Sequence, residues 1–296
     1  MKLRCFSSLV LHLLVLPLLA IGTRADTILK TADPFSVLAG STVTNTNPTV
    51  IAGEVGVSPG SAITGFPPGT SGPQHAADAV ALQAQVDNTN AYNGLWLLAP
   101  TSNLTGQDLG GQTLTAGVYK FNSSAQLTGA LTLDFGGSSN QSIIFEIVST
   151  LTTASASAVN IINPGTNDAL YWLVGSSATL GTTTSFEGNI LALASITMNT
   201  GASIGCGRAL AQTGAVTMDN NTIGSGCGAA GEGSSGGLTG LGPTLIAPAP
   251  GGGTQTGAPV PEPGTLLLLG TGIAALVGKA RMKRGGRGKS SPLAVA

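Results

Sequence analysis

The sequence predicts a mainly β fold: a β-solenoid, one chain coiled into stacked rungs, with one long α-helix packed alongside. Three observations carry this expectation. Segments of one pattern recur at steps of 18 (179 to 197) and 20 (197 to 217) residues. Within them apolar and polar residues alternate with period two, the mark of half-buried strands. The composition is also unusual. Charged residues are 8% of the chain and aromatics 4%, with 44 glycines in 296 residues, whereas ordinary globular domains carry roughly 25% charged residues.

The repeat is read from three segments: Thr179 to Phe186, Thr197 to Ile204 and Thr217 to Ile223. Each opens on Thr and a large apolar residue, continues through small polar residues and closes on an apolar one. Gly188-Asn189-Ile190-Leu191-Ala192 follows the first and matches Gly207-Arg208-Ala209-Leu210-Ala211 after the second. Thr42 to Val57 repeats the unit less closely, ending on Gly53-Glu54-Val55-Gly56-Val57. A rung of this length makes three short strands joined by tight turns. It cannot bury its apolar side alone, so rungs must stack. Alternation points Ile196, Met198, Ile204, Val216, Met218 and Ile223 inward.

One stretch breaks the β pattern. Residues 73 to 94 carry Ala76, Ala79, Val80, Leu82 and Val86 at helical spacing. Pro73 suits a first turn and Gly94 a C-terminal cap. An amphipathic helix over about 73–94 is expected, lying on a solenoid face. Val118-Tyr119-Lys120-Phe121, Ser142 to Val148 and Ala169 to Val174 read as strands. The last two are nearly continuous apolar runs, suited to a face covered by the helix.

The chain ends are not part of this fold. Lys2 and Arg4 precede an apolar run, Leu9 to Leu19, and Thr23-Arg24-Ala25 offers small residues for cleavage. This order is that of a secretory signal peptide over residues 1–25. The other reading, an uncleaved anchor, meets a run shorter than the ~20 residues a span needs. The solenoid domain is placed at 26–228, and 229–259 is a Gly/Ser/Pro-rich linker, a coil by composition. Val260-Pro261-Glu262-Pro263 then precedes an apolar stretch, Gly264 to Gly278, and the bases Arg281, Lys283, Arg284 and Arg287. The whole, 260–287, resembles the PEP-CTERM sorting signal of Gram-negative bacteria, with 288–296 as a tail. That resemblance implies an exosortase-type processing enzyme as partner. It also implies a membrane association through the apolar segment, before or without processing. A plain C-terminal anchor is the alternative. Either way the protein is expected to be exported, at the cell surface or outside the cell.

Cysteine usage agrees. Cys5 leaves with the signal, and Cys206 and Cys227 form an even pair for an oxidising compartment. They are 21 residues apart (206 to 227), close to one rung. Residues one rung apart stack at ~4.8 Å, within reach of a disulfide. Two free buried thiols are the alternative.

Over residues 35 to 228 the chain resembles the bacterial and fungal ice-binding proteins. Several phrases carry the likeness: Leu114-Thr115-Ala116-Gly117-Val118-Tyr119, Ser149 to Ser155, Tyr171 to Thr182, and the two Gly-led phrases at 188 and 207. It implies a discontinuous right-handed β-solenoid, whose N-terminal strands join coils built by the C-terminal half. It also implies an ice crystal surface as partner, held by one flat face. The chemistry is consistent with that. Rungs repeat at ~4.8 Å, and β-branched Thr holds a restricted χ1, so stacked threonines present methyls and hydroxyls at fixed intervals. Thr182, Thr184, Thr200, Ser203, Asn220 and Thr222 are the expected face, with Thr153 and Ser155 as further members. The same residues could instead fill solvated turns and satisfy local backbone groups.

Other functions find little support. Between residues 31 and 230 there are ten acidic residues and two basic ones, Lys120 and Arg208. No basic stripe exists for nucleic acid. His75 is the one histidine left after signal removal, and a Ser–His–Asp site would have to use it. No metal-binding spacing occurs, and no cofactor is expected. A GxSxG at 233–237 and a GxGxxG at 226–231 lie in or beside the linker, without the strand–turn–helix setting those motifs need. Asp168, Glu187 and Asp219 stand singly. Arg208 is expected to pair at a turn, and Trp96 and Trp172 to be core. No enzyme is predicted. A cell-surface adhesin or polysaccharide-binding protein is the alternative.

Overall fold

The computed structural model describes residues 28–224. The signal peptide, Cys227, the linker, the sorting segment with Val260, Pro261, Glu262 and Pro263, and the tail lie outside the described residues.

The described chain is a parallel β coil of three faces, formed by a 14-stranded and a 7-stranded sheet. One rung shows the plan. Ala169–Val174 runs along the first face, Ala178–Leu180 along the second, and Ser185–Ala192 crosses the third and turns back onto the first. That last bend falls at Gly188 (φ +99), where the register with Ser203–Ala211 shifts. A Cβ on its counterpart Gly207 would lie 1.9 Å from the Gly188 carbonyl, so the corner requires glycine.

The repeat predicted the register. Thr179 pairs with Thr197, and Thr197 with Thr217. Phe186 pairs with Ile204, and Ile204 with Ile223. The six side chains expected inward are all buried. Beside them runs a column of rings: Tyr119–Phe145 centroids are 5.6 Å apart, Phe145–Trp172 3.9 Å and Trp172–Phe186 4.9 Å. Trp172 donates its Nε1–H to the Glu187 carbonyl at 2.9 Å.

The coil is discontinuous. Phe35–Ala39 pairs with Ser203–Ala211, Thr42–Asn45 with Val216–Met218, and Val50–Ile51 with Thr222–Ile223. N-terminal rungs therefore continue a stack begun by the C-terminal half. Arg208 closes this seam. Its guanidinium donates to Asn189 Oδ1, to the Asp33 carbonyl and, at 2.8 Å, to Asp33 Oδ1.

The helix differs from expectation in its start and in its inward side. It spans Ala79–Leu95. Gln74–Ala76 is a strand instead, paired with Glu54–Val57, and His75 meets Asp78 at 2.8 Å from that strand. Asp78 starts the helix, its Oδ1 accepting from the Ala81 N–H at 2.8 Å. Trp96, not Gly94, is the C-terminal capping position. Val80, Leu82 and Val86 are about half exposed, at 47%, 55% and 46%. The buried side is Ala81, Ala84, Gln85, Asp87, Asn88, Ala91, Tyr92 and Leu95. Small residues let the helix approach the first face closely, over Leu38, Leu173, Leu191 and Leu210. The polar ones are tied down: Gln85 donates to the Ala211 carbonyl at 3.0 Å, and Thr31 Oγ1 to Asp87 at 2.6 Å.

Candidate functional site

The second face is the regular one. Its strands are Ala125–Leu127, Leu151–Thr153, Ala178–Leu180, Ile196–Met198, Val216–Met218, Thr42–Asn45 and Ala62–Thr64, stacked in that order. Each of the first five buries its first and third residue and turns the middle one out. The outward residues pair without a break: Gln126, Thr152, Thr179, Thr197, Thr217, Thr44 and Thr64. Six consecutive rungs thus present threonine, at the ~4.8 Å repeat of paired strands.

Among the described residues, the hydroxyls of Thr152, Thr179, Thr197, Thr217 and Thr44 have no hydrogen-bond partner. Only Thr64, at the end of the column, donates inward, to the Val43 carbonyl at 3.4 Å. Two residues upstream runs a second column of small side chains, including Ser124, Thr150, Ser177, Ser195 and Thr42. Its hydroxyls are partly engaged: Thr150 donates to Ser124, and the Ala215 N–H to Ser195 Oγ. No charged residue stands among the six threonines, but the rung beyond Gln126 places an exposed carboxylate, Asp108, in register with the column. A second carboxylate, Asp219, lies on the rim and accepts from Thr200 Oγ1 and, at 2.6 Å, from Asn47 Nδ2. Those two hydrogen bonds, Thr200 first, hold its pKa below the usual aspartate range.

The residues expected from the sequence fall elsewhere. Thr153 and Thr184 are 3% and 0% exposed, so they present no surface. Their hydroxyls bond each other at 2.8 Å, and Thr153 Oγ1 also accepts from the Gly181 N–H. Thr182, Thr200, Asn220 and Ser155 are exposed, but they occupy the turns between the second and third faces. The turn at Asn220 is left-handed (φ +56), as are its neighbours at Thr183 and Gly201. Ser203 and Thr222 pair with each other on the third face, in a column with Ala158, Ser185 and Val50. The structure therefore divides the expected set among core, corner and a second wall. The signal for the unbroken column was in the repeat itself: its leading residues, Thr179, Thr197 and Thr217, are the polar positions of alternating strands.

The remaining candidates have structural partners. Trp172 is fully buried. Trp96 is half-buried, stacks on Tyr92 at 5.4 Å and carries Lys120 Nζ at 5.5 Å. Lys120 also pairs with Glu146 at 3.1 Å. Among the described residues no three His, Cys, Asp or Glu side chains stand together as a metal site, and no helix is long and apolar enough to cross a membrane.

A coil that sets six threonines in register on one face, five of them without a hydrogen-bond partner among the described residues, defines a protein built to present a regular surface. The sequence profile of the ice-binding-like family matches residues 37–224, and the chain belongs to that family. A PEP-CTERM protein-sorting motif matches residues 259–284. An ice-binding protein of Nostoc sp. (strain HG1) is 52% identical over 251 residues, 84% of this chain and 84% of that protein. Among solved structures, the ice-binding protein of the Antarctic ascomycete Antarctomyces psychrotrophicus superposes with a TM-score of 0.64 at 40% identity, covering 67% of this chain and 98% of that one. An ice-binding protein from an Antarctic biological consortium gives 0.62 at 44% identity, covering 71% and 95%.

Proposed function

We propose that this chain is a non-catalytic ice-binding protein, and that it adsorbs to ice through the second face. Thr152, Thr179, Thr197, Thr217, Thr44 and Thr64 form its contact column. The observation that carries the assignment is the free state of five of those hydroxyls. A hydroxyl spent inside the protein cannot order surface water, whereas these can each donate and accept outward. The β-branch fixes their χ1, and inward packing of the flanking residues fixes their backbone. Water is thus ordered on a preformed array, with little entropy left to lose on adsorption. An ionised group would hold its own hydration shell in a different geometry, and the carboxylate in register, Asp108, stands beyond Gln126, outside the run of threonines. The corner residues Thr182, Thr200, Asn220 and Ser155, with Ser203 and Thr222, border the column without belonging to it.

The test is ice affinity of the full chain, scored by thermal hysteresis, recrystallisation inhibition and partition into a growing ice front. Activity in these assays is expected. A folded protein excluded from ice in all three would overturn the reading.

We further read the coil as right-handed, as parallel crossovers almost always are. Export by the N-terminal signal and handling of the C-terminal motif by an exosortase-type enzyme complete the proposal. Cys206 is disulfide-bonded and is the one cysteine among the described residues. With Cys5 in the signal, its partner is assigned to Cys227.

A further inference from the structure

We infer that Gln126 and Asp108 fix the length of the ice contact: the wall that carries the threonines runs on past Thr152, and these two side chains end the file where the backbone does not. The inference rests on the ice-binding reading and adds to it the residues that set how far the contact reaches.

The two ends of the column close in different ways. At Thr64 the backbone closes it. Gly65 follows with a left-handed φ of +84°, and a Cβ there would lie 1.9 Å from the Asn45 carbonyl oxygen. The chain turns away at that point, and no exchange of side chains adds a rung. The Thr152 end is built otherwise. Ala125–Leu127 continues the wall for one more strand, paired residue for residue with Leu151–Thr153. Ala125 and Leu127 are buried, at 1% and 0%, and Gln126 is exposed between them, the same pattern as in the threonine rungs. The backbone beneath Gln126 is thus already set for an outward threonine.

The side chain departs from the array. Glutamine has no β-branch to restrict χ1. Its amide is turned aside to Thr128, Nε2 donating to Thr128 Oγ1 at 3.3 Å. It repeats neither the methyl nor the open hydroxyl of the rungs beside it. One rung further, Asp108 stands exposed and in register with Gln126. Its Oδ1 accepts from the Gly110 N–H at 2.7 Å and from the Thr128 N–H at 2.9 Å, which holds the carboxylate at that end of the column. Those two bonds call only for an oxygen acceptor, which an amide also supplies. The charge is additional to them, and it orients the water around it. Gln126 keeps that charge one rung away from Thr152.

Six threonines span about 24 Å at the rung repeat, and a seventh would carry the file to about 29 Å. An added rung joins an array whose backbone is already ordered, so it brings contact without a further ordering cost.

The experiment is thermal hysteresis of the full chain and its variants at equal concentration, each checked as folded by its melting temperature. Gln126→Thr should raise hysteresis about twofold, as a contact added to a preformed surface. Gln126→Glu keeps the side-chain length and sets a charge against Thr152, so it should fall below wild type. Asp108→Asn retains an oxygen for the Gly110 and Thr128 N–H groups and removes the charge. Combined with Gln126→Thr it should exceed Gln126→Thr alone. A folded Gln126→Thr at or below wild-type hysteresis would overturn the inference, as would Gln126→Glu equal to wild type. A double variant no better than Gln126→Thr would remove Asp108 from it. Hysteresis absent from wild type and every variant would instead remove the ice-binding reading beneath it.

Discussion

Thr197 stands in register between Thr179 and Thr217 on the second face, and its hydroxyl has no hydrogen-bond partner among the described residues. Three residues further on, Thr200 gives its hydroxyl to Asp219. Two threonines of one repeat thus have opposite fates, one open to water and one consumed in holding a corner. Which hydroxyls are free, rather than how many are present, separates the adsorbing face from its frame.

The buried pair Thr153 and Thr184 should affect stability and leave ice activity alone. Thr184→Val removes its bond to Thr153 and its donation to the Ala154 carbonyl at 3.1 Å. A loss of about 1–3 kcal/mol is expected, read as a lower melting temperature. Thermal hysteresis of the folded protein should match wild type; a drop would return these residues to the site.

Arg208→Met tests the seam. It removes the Arg208 guanidinium's bonds to the Asp33 carboxylate and carbonyl in a largely buried setting. Removing one member of such a pair costs about 3 kcal/mol. Urea denaturation should show this. Hydrogen exchange should rise first in residues 28–39, where the N-terminal segment is pinned.

The helix should tolerate change on the side that looks apolar and resist it on the side that looks weak. Leu82→Gln, at a half-exposed position, should cost little, within the ordinary ±0.5 kcal/mol of surface changes. Ala84→Leu puts a large side chain where the helix meets the leucines of the first face and should cost about 1–3 kcal/mol. Thermal melts of the two variants compare directly.

Acid should weaken the fold but leave the ice face untouched near neutrality. Asp219 is held low by Thr200 and Asn47, and Asp134 by Asn163 and the Gly136 N–H. A depressed carboxylate stabilises above its unfolded value of ~3.9, and that contribution is lost as pH falls through the folded value. Glu146 runs the other way: burial raises its pKa, with Lys120 opposing. Its folded state favours the protonated form, so it contributes stability on the acid side that is lost as pH rises. Stability should therefore fall below about pH 4, more gently for Asp219→Asn and more steeply for Glu146→Gln. The threonines do not titrate, and Asp108 at the end of their column has its pKa lowered, so thermal hysteresis should be flat from about pH 5 to 9. A titration inside that window would place an ionisable group on the face.

The sequence repeat and its alternation were enough to read the coil, its register and its inward side chains. The adsorbing face was harder to read for a physical reason. Dense runs such as Thr182-Thr183-Thr184 look like a surface array, but such residues gather in turns because their side chains satisfy turn backbone. Single threonines inside short strands are sparse in sequence and become an array only when rungs stack. Thr44 joins the column through a pairing with Thr217 from the far end of the domain, which no local pattern reports. The inward side of the helix was hidden similarly, since it is built from alanines and bonded amides while valines and a leucine face out.

The most direct test of the account is thermal hysteresis of Thr197→Tyr beside Thr182→Tyr, each verified as folded by its melting temperature. Tyr at 197 interrupts the column at its centre, whereas Tyr at 182 lies on the corner. We predict that Thr197→Tyr loses most activity and Thr182→Tyr retains it. The reverse, or equal activity in both, would contradict the assignment of the second face.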